Sequence, residues 1–396
     1  MQSILTINAG SSSIKFALFE IFGPADPLSE KAAISGQIDG IGTPQIHLVA
    51  KNFAGQRIAD QALPGGAATR HQQAFDYLLK WFTASEASGR IVAVGHRVVH
   101  GGDAYSQPIV LDDAAIEQLA QYTKLAPLHQ PHNINGIRAI KAILPGVPQI
   151  ACFDTAFHRT QPPIAQMYGL PRKFTEEGAK RYGFHGISYE YIASVLPKHT
   201  QKADGRVVVA HLGNGASMTA MVERKCVAST LGFSTLDGLV MGTRCGALDP
   251  GLVLHLMESK GLDVKEMTRI LYKESGLLGV SGISHDMRTL IASDRPEAKE
   301  AIELFCYRIV RELGSLTAAA AGLDALVFTG GIGEHAATVR QRVCQLAAWQ
   351  GIALDLDANA RDDLHISSAS STVEVMVIPT NEEWMIARHA QRLLDL

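Results

Sequence analysis

The sequence predicts an α/β fold made of two related domains with mixed β-sheets. Segments typical of buried strands alternate with helical patterns along the 396 residues. A strand–turn–strand pattern occurs twice, about 200 residues apart, which indicates an internal duplication. The chain is also longer than one hydrophobic core usually serves. We therefore expect an N-terminal domain at 1–150 and a C-terminal domain at 151–381, with a final helix at 382–396 packing back on the first domain.

The first hairpin opens the chain. Residues 4–7 form a short apolar run, and Asn8-Ala9-Gly10-Ser11-Ser12-Ser13 follows as a cluster of turn formers. Residues 15–21 then read as a second strand. Hairpin strands are antiparallel, so a sheet that contains them is mixed rather than purely parallel.

The second hairpin repeats this pattern with strands at 207–211 and 218–222 around Leu212-Gly213-Asn214-Gly215-Ala216-Ser217. Further strands are predicted at 91–94, 149–153, 325–329 and 373–378. Helices are predicted at 74–82, 112–122, 187–195, 297–321, 336–349 and 382–394.

Charge and cysteine usage exclude several classes of protein. The net charge of −3 gives no sign of nucleic-acid binding or attraction to an acidic membrane. The five cysteines form no Cys-x-x-Cys pair, which argues against a disulfide framework or a thiolate metal site. The first residues lack a basic region, and Gly322 and Asp324 interrupt the Ala-rich stretch at 316–329. We therefore expect a cytoplasmic protein without a membrane span.

The common phosphate-binding motifs are missing. A Walker A loop requires Gly-Lys before Ser or Thr, and the chain contains no Gly-Lys dipeptide. The segments Gly213-Asn214-Gly215 and Gly331-Ile332-Gly333 lack the third glycine of a dinucleotide-binding fingerprint. A nucleotide site in this chain must be of another kind.

Three other segments resemble a phosphate-binding apparatus. They are the turn at 8–15 with Lys15, the turn at 211–215, and the strand-to-helix turn at 328–334, where we expect a helix to start near Glu334. Small residues let backbone N–H groups approach a phosphate closely. Each turn alone could equally be an ordinary hairpin or connection. Together, in two α/β domains, they resemble the fold of actin-like ATPases and sugar kinases, in which ATP lies in the cleft between the domains.

A narrower resemblance follows from longer motifs. The chain resembles the acetate kinase family, which includes propionate kinases, in segments that run in family order from residue 4 to residue 390. These segments are Asn8-Ala9-Gly10-Ser11-Ser12-Ser13-Ile14-Lys15, Gly95-His96-Arg97-Val98-Val99-His100-Gly101-Gly102, Phe153-Asp154-Thr155-Ala156-Phe157-His158, Arg181-Tyr182-Gly183-Phe184-His185-Gly186, Met241-Gly242-Thr243-Arg244 and Pro379-Thr380-Asn381-Glu382-Glu383.

The resemblance implies catalytic roles. Arg97 and Arg244 would hold the substrate carboxylate and the transferred phosphoryl group, because a guanidinium binds oxyanions through two hydrogen bonds. His185 would be a third donor, and His129 resembles a further active-site histidine. Asp154 would orient an Arg or His, or position Mg²⁺ through water. A carboxylate nucleophile is already ionised at pH 7, so no general base is needed.

The resemblance also implies the ligand sites. ATP or ADP would be bound by Lys15, Ser11, Ser13, His211, Leu212, Gly213, Asn214, Gly215, Asp286, Met287, Arg288, Gly331, Ile332, Gly333, Glu334 and His335. Asn8 and Glu382 would lie on the side of the metal, Mg²⁺ or alternatively Mn²⁺. The carboxylate would bind at Arg97, with Val99, Leu128, Phe184 and Thr235 around its acyl group.

The reaction implied is ATP + acetate ⇌ ADP + acetyl phosphate by direct in-line transfer, in a homodimer. This chain departs from the family at Thr235, Ala247 and His335, where Pro, Asp and Asn are usual. Acetate and propionate stay open as substrates, since one methylene changes binding by only about 1–3 kcal/mol.

Two alternative functions have different requirements. A sugar kinase would need a general-base Asp beside a polar pocket. A non-enzymatic ATP switch would need polymer contacts or a peptide-binding domain.

Overall fold

The computed structural model describes residues 2–10, 13–23, 26–64, 71–84, 90–127 and 129–396. Two predicted ligand-binding residues, Ser11 and Leu128, lie outside these ranges. The chain divides into two compact units. Unit 1 contains residues 1–157 and 381–396, and unit 2 contains residues 158–380.

The strands are β1 (Gln2–Ala9), β2 (Ser13–Ile21), β3 (Ile34–Asp39), β4 (Ile46–Asn52), β5 (Arg57–Leu63), β6 (Arg90–Val98), β7 (Ile109–Val110), β8 (Gln149–Phe153), β9 (Arg206–Leu212), β10 (Ala216–Val222), β11 (Lys225–Ser229), β12 (Ala325–Thr329) and β13 (Glu374–Val377).

The helices are α1 (His71–Ala84), α2 (Asp113–Gln121), α3 (Gln130–Ile143), α4 (Pro163–Gln166), α5 (Arg172–Glu176), α6 (Gly186–Val195), α7 (Pro250–Lys260), α8 (Val264–Arg269), α9 (Gly276–Ser281), α10 (Met287–Ile291), α11 (Pro296–Ala319), α12 (Gly330–His335), α13 (Ala337–Leu346), α14 (Leu356–Ala360) and α15 (Glu382–Leu393). Short 3₁₀ turns lie at Tyr122–Lys124, Ala156–Thr160, Leu196–Lys198 and Ala348–Gln350, and a π-helical turn lies at Ile270–Glu274.

The two sheets share one arrangement of five strands. Unit 1 has the order β5-β4-β3-β2-β1-β6-β8-β7, and unit 2 has the order β11-β10-β9-β12-β13. In unit 1, β1 pairs antiparallel with β2 and parallel with β6. In unit 2, β9 pairs antiparallel with β10 and parallel with β12. The predicted duplication and the mixed sheets of an actin-like fold are therefore confirmed.

Unit 1 buries its central strands between helices. Leu5 and Ile7 of β1 pack into a core with Phe75 of α1 and Ile140 of α3. On the other face α15 packs on β1, β6 and β8. An ideal Cβ at Gly95 of β6 would lie 2.4 Å from Cγ2 of Ile386, so α15 can approach the sheet this closely only because residue 95 is glycine.

The structure corrects some sequence expectations. The boundary predicted at 150 falls inside β8, and unit 1 continues to Phe157, because β8 pairs with β6 along residues 149–153. The helix expected to start near Glu334 begins at Gly330, since the glycines form its first turn rather than a separate loop. The helix expected at 336–349 is α13 followed by a 3₁₀ turn.

The sequence also left several elements unpredicted, among them β3–β5, β11 and α7–α10. In the part of the chain that the structure describes, no helix combines the length and the apolar character that crossing a bilayer requires.

Candidate active site

Arg97 in unit 1 is held by Asp154. Arg97 lies near the end of β6, and Asp154 directly follows β8. Nε of Arg97 donates to Oδ1 and to Oδ2 of Asp154, at 3.0 Å each. The Asp154 side chain is only 1% exposed, and that of Arg97 is 20% exposed. Both carboxylate oxygens are therefore committed to the guanidinium.

Asn8 connects the first hairpin to this pair. Nη1 of Arg97 donates to Oδ1 of Asn8 at 3.2 Å. Lys15 is the cross-strand partner of Asn8, so the two side chains lie on the same face of the hairpin. Lys15 lines a cavity of about 710 Å³ with three other basic side chains. Ser13 starts β2, and its carbonyl oxygen accepts from the Gly10 N–H at 2.8 Å.

The charges around Arg97 differ in their response to pH. Burial opposes the positive charge of Arg97, but Asp154 and Glu382 outweigh it and raise the pKa of the guanidinium. Burial raises the pKa of the Glu382 carboxyl to about 7; Asp154 and Glu383 act in the same direction, against Arg97 and Lys15. Glu382 is thus a group of this cluster whose charge changes near neutral pH.

The donor set in unit 1 fits Mg²⁺. Asn8 and Glu382 both interact with Arg97 and offer oxygen ligands, which Mg²⁺ prefers while it keeps several waters and phosphate ligands. Over the described ranges, no group of three or more His, Cys, Asp or Glu side chains could hold a metal. Such a site suits a metal held mainly by a nucleotide, with few ligands from protein.

The other predicted residues of unit 1 are Val99 and His129. Val99 follows β6 and is 4% exposed. His129 directly precedes α3 and is partly buried. Their contacts with a substrate stay predictions.

The turn that carries His185 in unit 2 is braced by His158. An ideal Cβ at Gly183 would lie 2.4 Å from Cγ of His158, so only glycine fits there. Nε2 of His158 donates to the carbonyl oxygen of Phe184 at 2.8 Å. Burial lowers the pKa of His158 to about 4, which keeps this ring neutral. His158 ends the motif at 153–158, but the sequence predicted no role for it.

His185 is held in an uncommon conformation. It precedes α6 with φ = 58°, in the left-handed region that costs a non-glycine residue about 1 kcal/mol or more. Its Nδ1 lies 2.8 Å from Oγ of Ser217, and the Tyr189 hydroxyl lies 2.5 Å from the same atom.

The hydroxyl chain sets the tautomer of His185. Burial raises the pKa of Tyr189, so the phenol keeps its proton and can donate to Ser217. When Tyr189 donates to Ser217 and Ser217 donates to Nδ1 of His185, the ring proton lies on Nε2. His185 can therefore donate a hydrogen bond to an anion. Ser217 and Tyr189 left no recognisable signal in the sequence.

His211 stacks on His185. The ring centroids are 4.5 Å apart with an interplanar angle of 24°. Nδ1 of His211 lies 2.8 Å from Oγ of Ser188, which lies 2.8 Å from Oγ1 of Thr380. The two imidazoles are thus parallel, and each Nδ1 is tied to a hydroxyl.

The turn at 213–215 brings His185 and Arg244 together. An ideal Cβ at Gly215 would lie 3.5 Å from Nε2 of His185 and 3.5 Å from Nη2 of Arg244. The N–H of Gly242 donates to the carbonyl oxygen of Asn214 at 3.0 Å. The predicted motifs at 211–215 and 241–244 therefore form one cluster.

Arg244 is supported by backbone. Its Nη1 donates to the carbonyl oxygen of Thr235 at 2.8 Å, a contact that does not depend on the side chain at this position. Ala247, another departure from the family pattern, still donates its N–H to the carbonyl oxygen of Gly238 at 2.9 Å. Phe184 is 1% exposed, so its side chain belongs to the core of unit 2.

The glycine-rich start of α12 lies against the end of β9. Gly330 has φ = +76°, and a Cβ there would be 2.8 Å from the carbonyl oxygen of Leu212. Oε1 of Glu334 accepts from the N–H groups of Gly330 at 2.8 Å and of Thr380 at 3.1 Å. Gly213, whose N–H donates to the carbonyl oxygen of Gly215, therefore lies beside this segment.

Arg340 binds the backbone of the same segment, the start of α12. It is fully buried, and its Nη1 donates to the carbonyl oxygens of Gly333 at 2.9 Å and Glu334 at 2.8 Å. Gly331 is exposed with open space around it, Ile332 is half-buried, and the His335 side chain is 74% exposed. Sequence reasoning missed Arg340, because a lone arginine in a helical pattern is usually a surface residue.

The segment Asp286-Met287-Arg288 lies at the start of α10. The Asp286 side chain accepts from the N–H of Arg288 at 2.9 Å, and hydrogen bonding from Arg288 lowers the pKa of Asp286 to about 2. Met287 is buried. Among the described residues, no hydrogen bond links this segment to 330–335. Its place beside the nucleotide stays a prediction.

Comparison with known sequences gives matches over nearly the whole chain. The sequence model of the Acetokinase family matches residues 3–388. An acetate kinase of Rhodopseudomonas palustris is 54% identical over 396 residues, covering 99% of this chain and 98% of that protein. An acetate kinase of Methylocella silvestris is 49% identical and covers 100% and 98% of the two chains.

Solved structures agree with the sequence matches. A propionate kinase from Francisella tularensis superposes with a TM-score of 0.91 at 39% identity, covering 99% of this chain and 100% of the other. An acetate kinase from Porphyromonas gingivalis superposes with a TM-score of 0.87 at 35% identity, with 100% of both chains covered.

Proposed function

The chain belongs to the acetokinase family, and from this premise we propose that it is an acetate kinase. It transfers the γ-phosphoryl group of ATP to acetate, giving ADP and acetyl phosphate, and it catalyses the reverse reaction. An oxygen of the carboxylate forms the new P–O bond. The bond between the γ-phosphorus and the bridging oxygen breaks, and ADP leaves with the electron pair.

The observation that carries this proposal is the state of Asp154. A kinase that acts on a hydroxyl needs a carboxylate free to accept the hydroxyl proton. Here the buried carboxylate accepts from Arg97 with both of its oxygens. This arrangement supports a nucleophile without a proton to lose, such as a carboxylate, over a sugar.

We assign Arg97, Arg244 and the Nε2–H of His185 as the donors for the charge that spreads over the transferred group. Guanidinium and imidazole donors that are fixed before the reaction lower the barrier without reorganising during it. In the turns at 213–215 and 330–333 the exposed residues are Asn214 and Gly331, and we assign their backbone N–H groups to the nucleotide phosphates.

Asn8 and Glu382 would hold Mg²⁺ together with the nucleotide. When bound, the ion would neutralise charge on the nucleotide phosphates. Asn8 also accepts a hydrogen bond from Arg97, so this one residue would position both the metal and the arginine.

Acyl hydroxamate formation tests the proposal directly. The protein is incubated with Mg-ATP and hydroxylamine, and acetate, propionate, butyrate and a hexose are offered separately. We expect acetate to give both acetyl hydroxamate and ADP. No acid should give ADP without also giving its hydroxamate. If no acid yields a hydroxamate, the carboxylate-kinase proposal is wrong.

Propionate is the second candidate substrate. The similarity to the Francisella propionate kinase supports it. A kcat/KM for propionate above that for acetate would promote this candidate.

We also propose a cytoplasmic homodimer. Unit 2 exposes apolar side chains that a partner would cover, among them Ile164, Leu170, Leu254 and Val264 with exposed fractions of 78%, 56%, 67% and 71%. Helix α7 has no buried residue at all, although it contains four leucine and valine side chains. Light scattering coupled to gel filtration should give twice the chain mass of 42.6 kDa. None of the five cysteines forms a disulfide, which suits a reducing compartment.

A further inference from the structure

The backbone pairing of β1 and β6 ends before it reaches the candidate active site. The last registered pair is Ile7 with His96. The next residues, Asn8 and Arg97, touch only through their side chains. From here β1 continues along β2, and β6 continues along β8. Contacts outside β1 and β6 must therefore fix the spacing between Asn8 and Arg97.

Asn133 of α3 fills the gap that the two strands leave. Its Nδ2 donates to the carbonyl oxygen of Ala9, and its Oδ1 accepts from the N–H of Val99, both at 3.0 Å. Asn133 is 3% exposed, so water does not compete for these bonds. One side-chain amide thus links Ala9, which follows Asn8, to Val99, two residues past Arg97, where the backbone pairing of the two strands has ended.

Neighbouring side chains hold the same two backbone segments. Gln130, in the first turn of α3, accepts from the N–H of His100 and donates to its carbonyl oxygen. Nε2 of His71 in α1 donates to the carbonyl oxygen of Gly10 at 2.6 Å. The ring of His132 packs on that of His71, with centroids 4.9 Å apart. The end of β6 and the turn after β1 are therefore both fixed from the face that α1 and α3 cover.

We propose that Asn133 is a positioning residue for phosphoryl transfer, setting the spacing of Asn8 and Arg97, a role that rests on the function proposed above. Asn133 lies on the face of the sheet opposite α15 and touches neither side chain directly. It acts through the backbone at Ala9 and Val99. A misplacement of about 1 Å at a reacting group can cost a rate factor of about 10².

A matched control exists in the same unit. Gln149 at the start of β8 is also a buried amide held against α3. Its side-chain amide lies 2.6 Å from Nε2 of His96, and the amide orientation that donates to this nitrogen also lets the amide oxygen accept from the N–H of Lys141 at 3.2 Å. Removing either amide breaks hydrogen bonds between α3 and the sheet. Gln149 bonds to the side chain of His96 in β6 alone, whereas Asn133 bonds to the backbone of two segments, at Ala9 after Asn8 and at Val99 after β6.

The test compares Asn133→Ala with Gln149→Ala. We expect both to lower the Tm by a similar amount. Asn133→Ala should lower kcat by about 10-fold to 10²-fold with the KM for ATP changed less than about threefold, whereas Gln149→Ala should change kcat by less than about twofold. Asn133→Asp, which keeps the shape and the acceptor for Val99 but loses the donor to Ala9, should lower kcat too.

Two further measurements separate positioning from a general loss of structure. In an Arg97→Lys background, Asn133→Ala should lower kcat by less than about threefold, because residues that act through one another are non-additive. Amide exchange at Val99 should be faster in Asn133→Ala and unchanged in Gln149→Ala.

The outcomes are distinct. Faster exchange at Val99 with an unchanged kcat, or additive losses with Arg97→Lys, would overturn the positioning role. A wild-type protein that makes no acyl phosphate from any acid would overturn the proposed function instead. If Asn133→Ala does not fold, Asn133→Asp with the kcat of the wild type also overturns the positioning role.

Discussion

The two units repeat the same five strands, yet they support their arginines in different ways. In unit 1, Arg97 is held by the buried carboxylate of Asp154, with Glu382 nearby. In unit 2, Arg244 donates to a backbone carbonyl oxygen, and His185 is oriented by the hydroxyls of Ser217 and Tyr189. The strand order is shared, whereas the chemistry at the strand ends is not.

This difference has energetic consequences. A buried ion pair is sensitive to the loss of either partner, because the remaining charge has no compensation. A hydroxyl chain or a carbonyl contact costs only about 1 kcal/mol when it is broken. We therefore expect unit 1 to couple activity to stability and pH, and unit 2 to respond mainly in activity.

The largest effect should come from removing each arginine. Arg97→Ala and Arg244→Ala should each lower kcat by about 10²–10³-fold, since each removes a donor to the developing charge. Arg97→Ala should also lower the free energy of unfolding by about 3 kcal/mol, because Asp154 is left buried and unpaired. Steady-state kinetics and urea unfolding measure both quantities. Equal stability losses in the two variants would erase the contrast between the units.

The next effect concerns Glu382 and pH. Its raised pKa means that the folded state holds the proton more tightly than the unfolded chain does, so stability falls as pH rises from about 4.5 through about 7. Glu382→Gln should therefore raise the free energy of unfolding above pH 7 by about 1–3 kcal/mol.

The same substitution should weaken the dependence of kcat on Mg²⁺ concentration between pH 6 and pH 8. Glu383→Gln is the matched control: it removes a neighbouring charge that raises the pKa of Glu382, so it should keep the titration and move it slightly toward lower pH. If Glu382→Gln and Glu383→Gln behave alike, Glu382 is not the group that titrates.

A smaller effect is expected in the hydroxyl chain of unit 2. Tyr189→Phe removes the donor to Ser217 and should lower kcat about fivefold, the worth of about 1 kcal/mol. The pH profile should keep its shape, because no charge is lost. Tyr191→Phe on the same helix is the control and should leave kcat unchanged. A shifted profile in Tyr189→Phe would show that the chain affects more than the orientation of His185.

The smallest effect should follow Thr235→Pro. The carbonyl oxygen that binds Arg244 is kept in this variant, so kcat for acetate should change by less than about twofold. The ratio of kcat/KM for acetate to that for propionate should shift by about threefold to tenfold if Thr235 borders the acyl group. A large loss of kcat would instead show that the loop conformation depends on threonine.

Local signals explain the elements that the sequence predicted. β8 and β12 have the predicted bounds, because each is a fully buried run of five residues, four of them apolar, flanked by turn formers. By contrast only two residues are buried in each of β3 and β5, so no run of buried apolar residues was available. Helix α3 begins with Gln130-Pro131-His132-Asn133, a polar run that resembles a loop until Gln130 and Asn133 are seen bonding to β6.

The sequence by itself determined the duplicated α/β fold, the three phosphate-type turns and the family, because these depend on hydrophobic periodicity, glycine positions and long motifs. Only the tertiary structure decided that Asp154 binds Arg97 with both oxygens, that Ser217 orients His185, and that Asn133 joins the ends of β1 and β6. The members of each of these pairs are separated by at least 32 residues along the chain. Their hydrogen bonds form only when folding brings strand ends and helix starts together, and no local pattern encodes that approach.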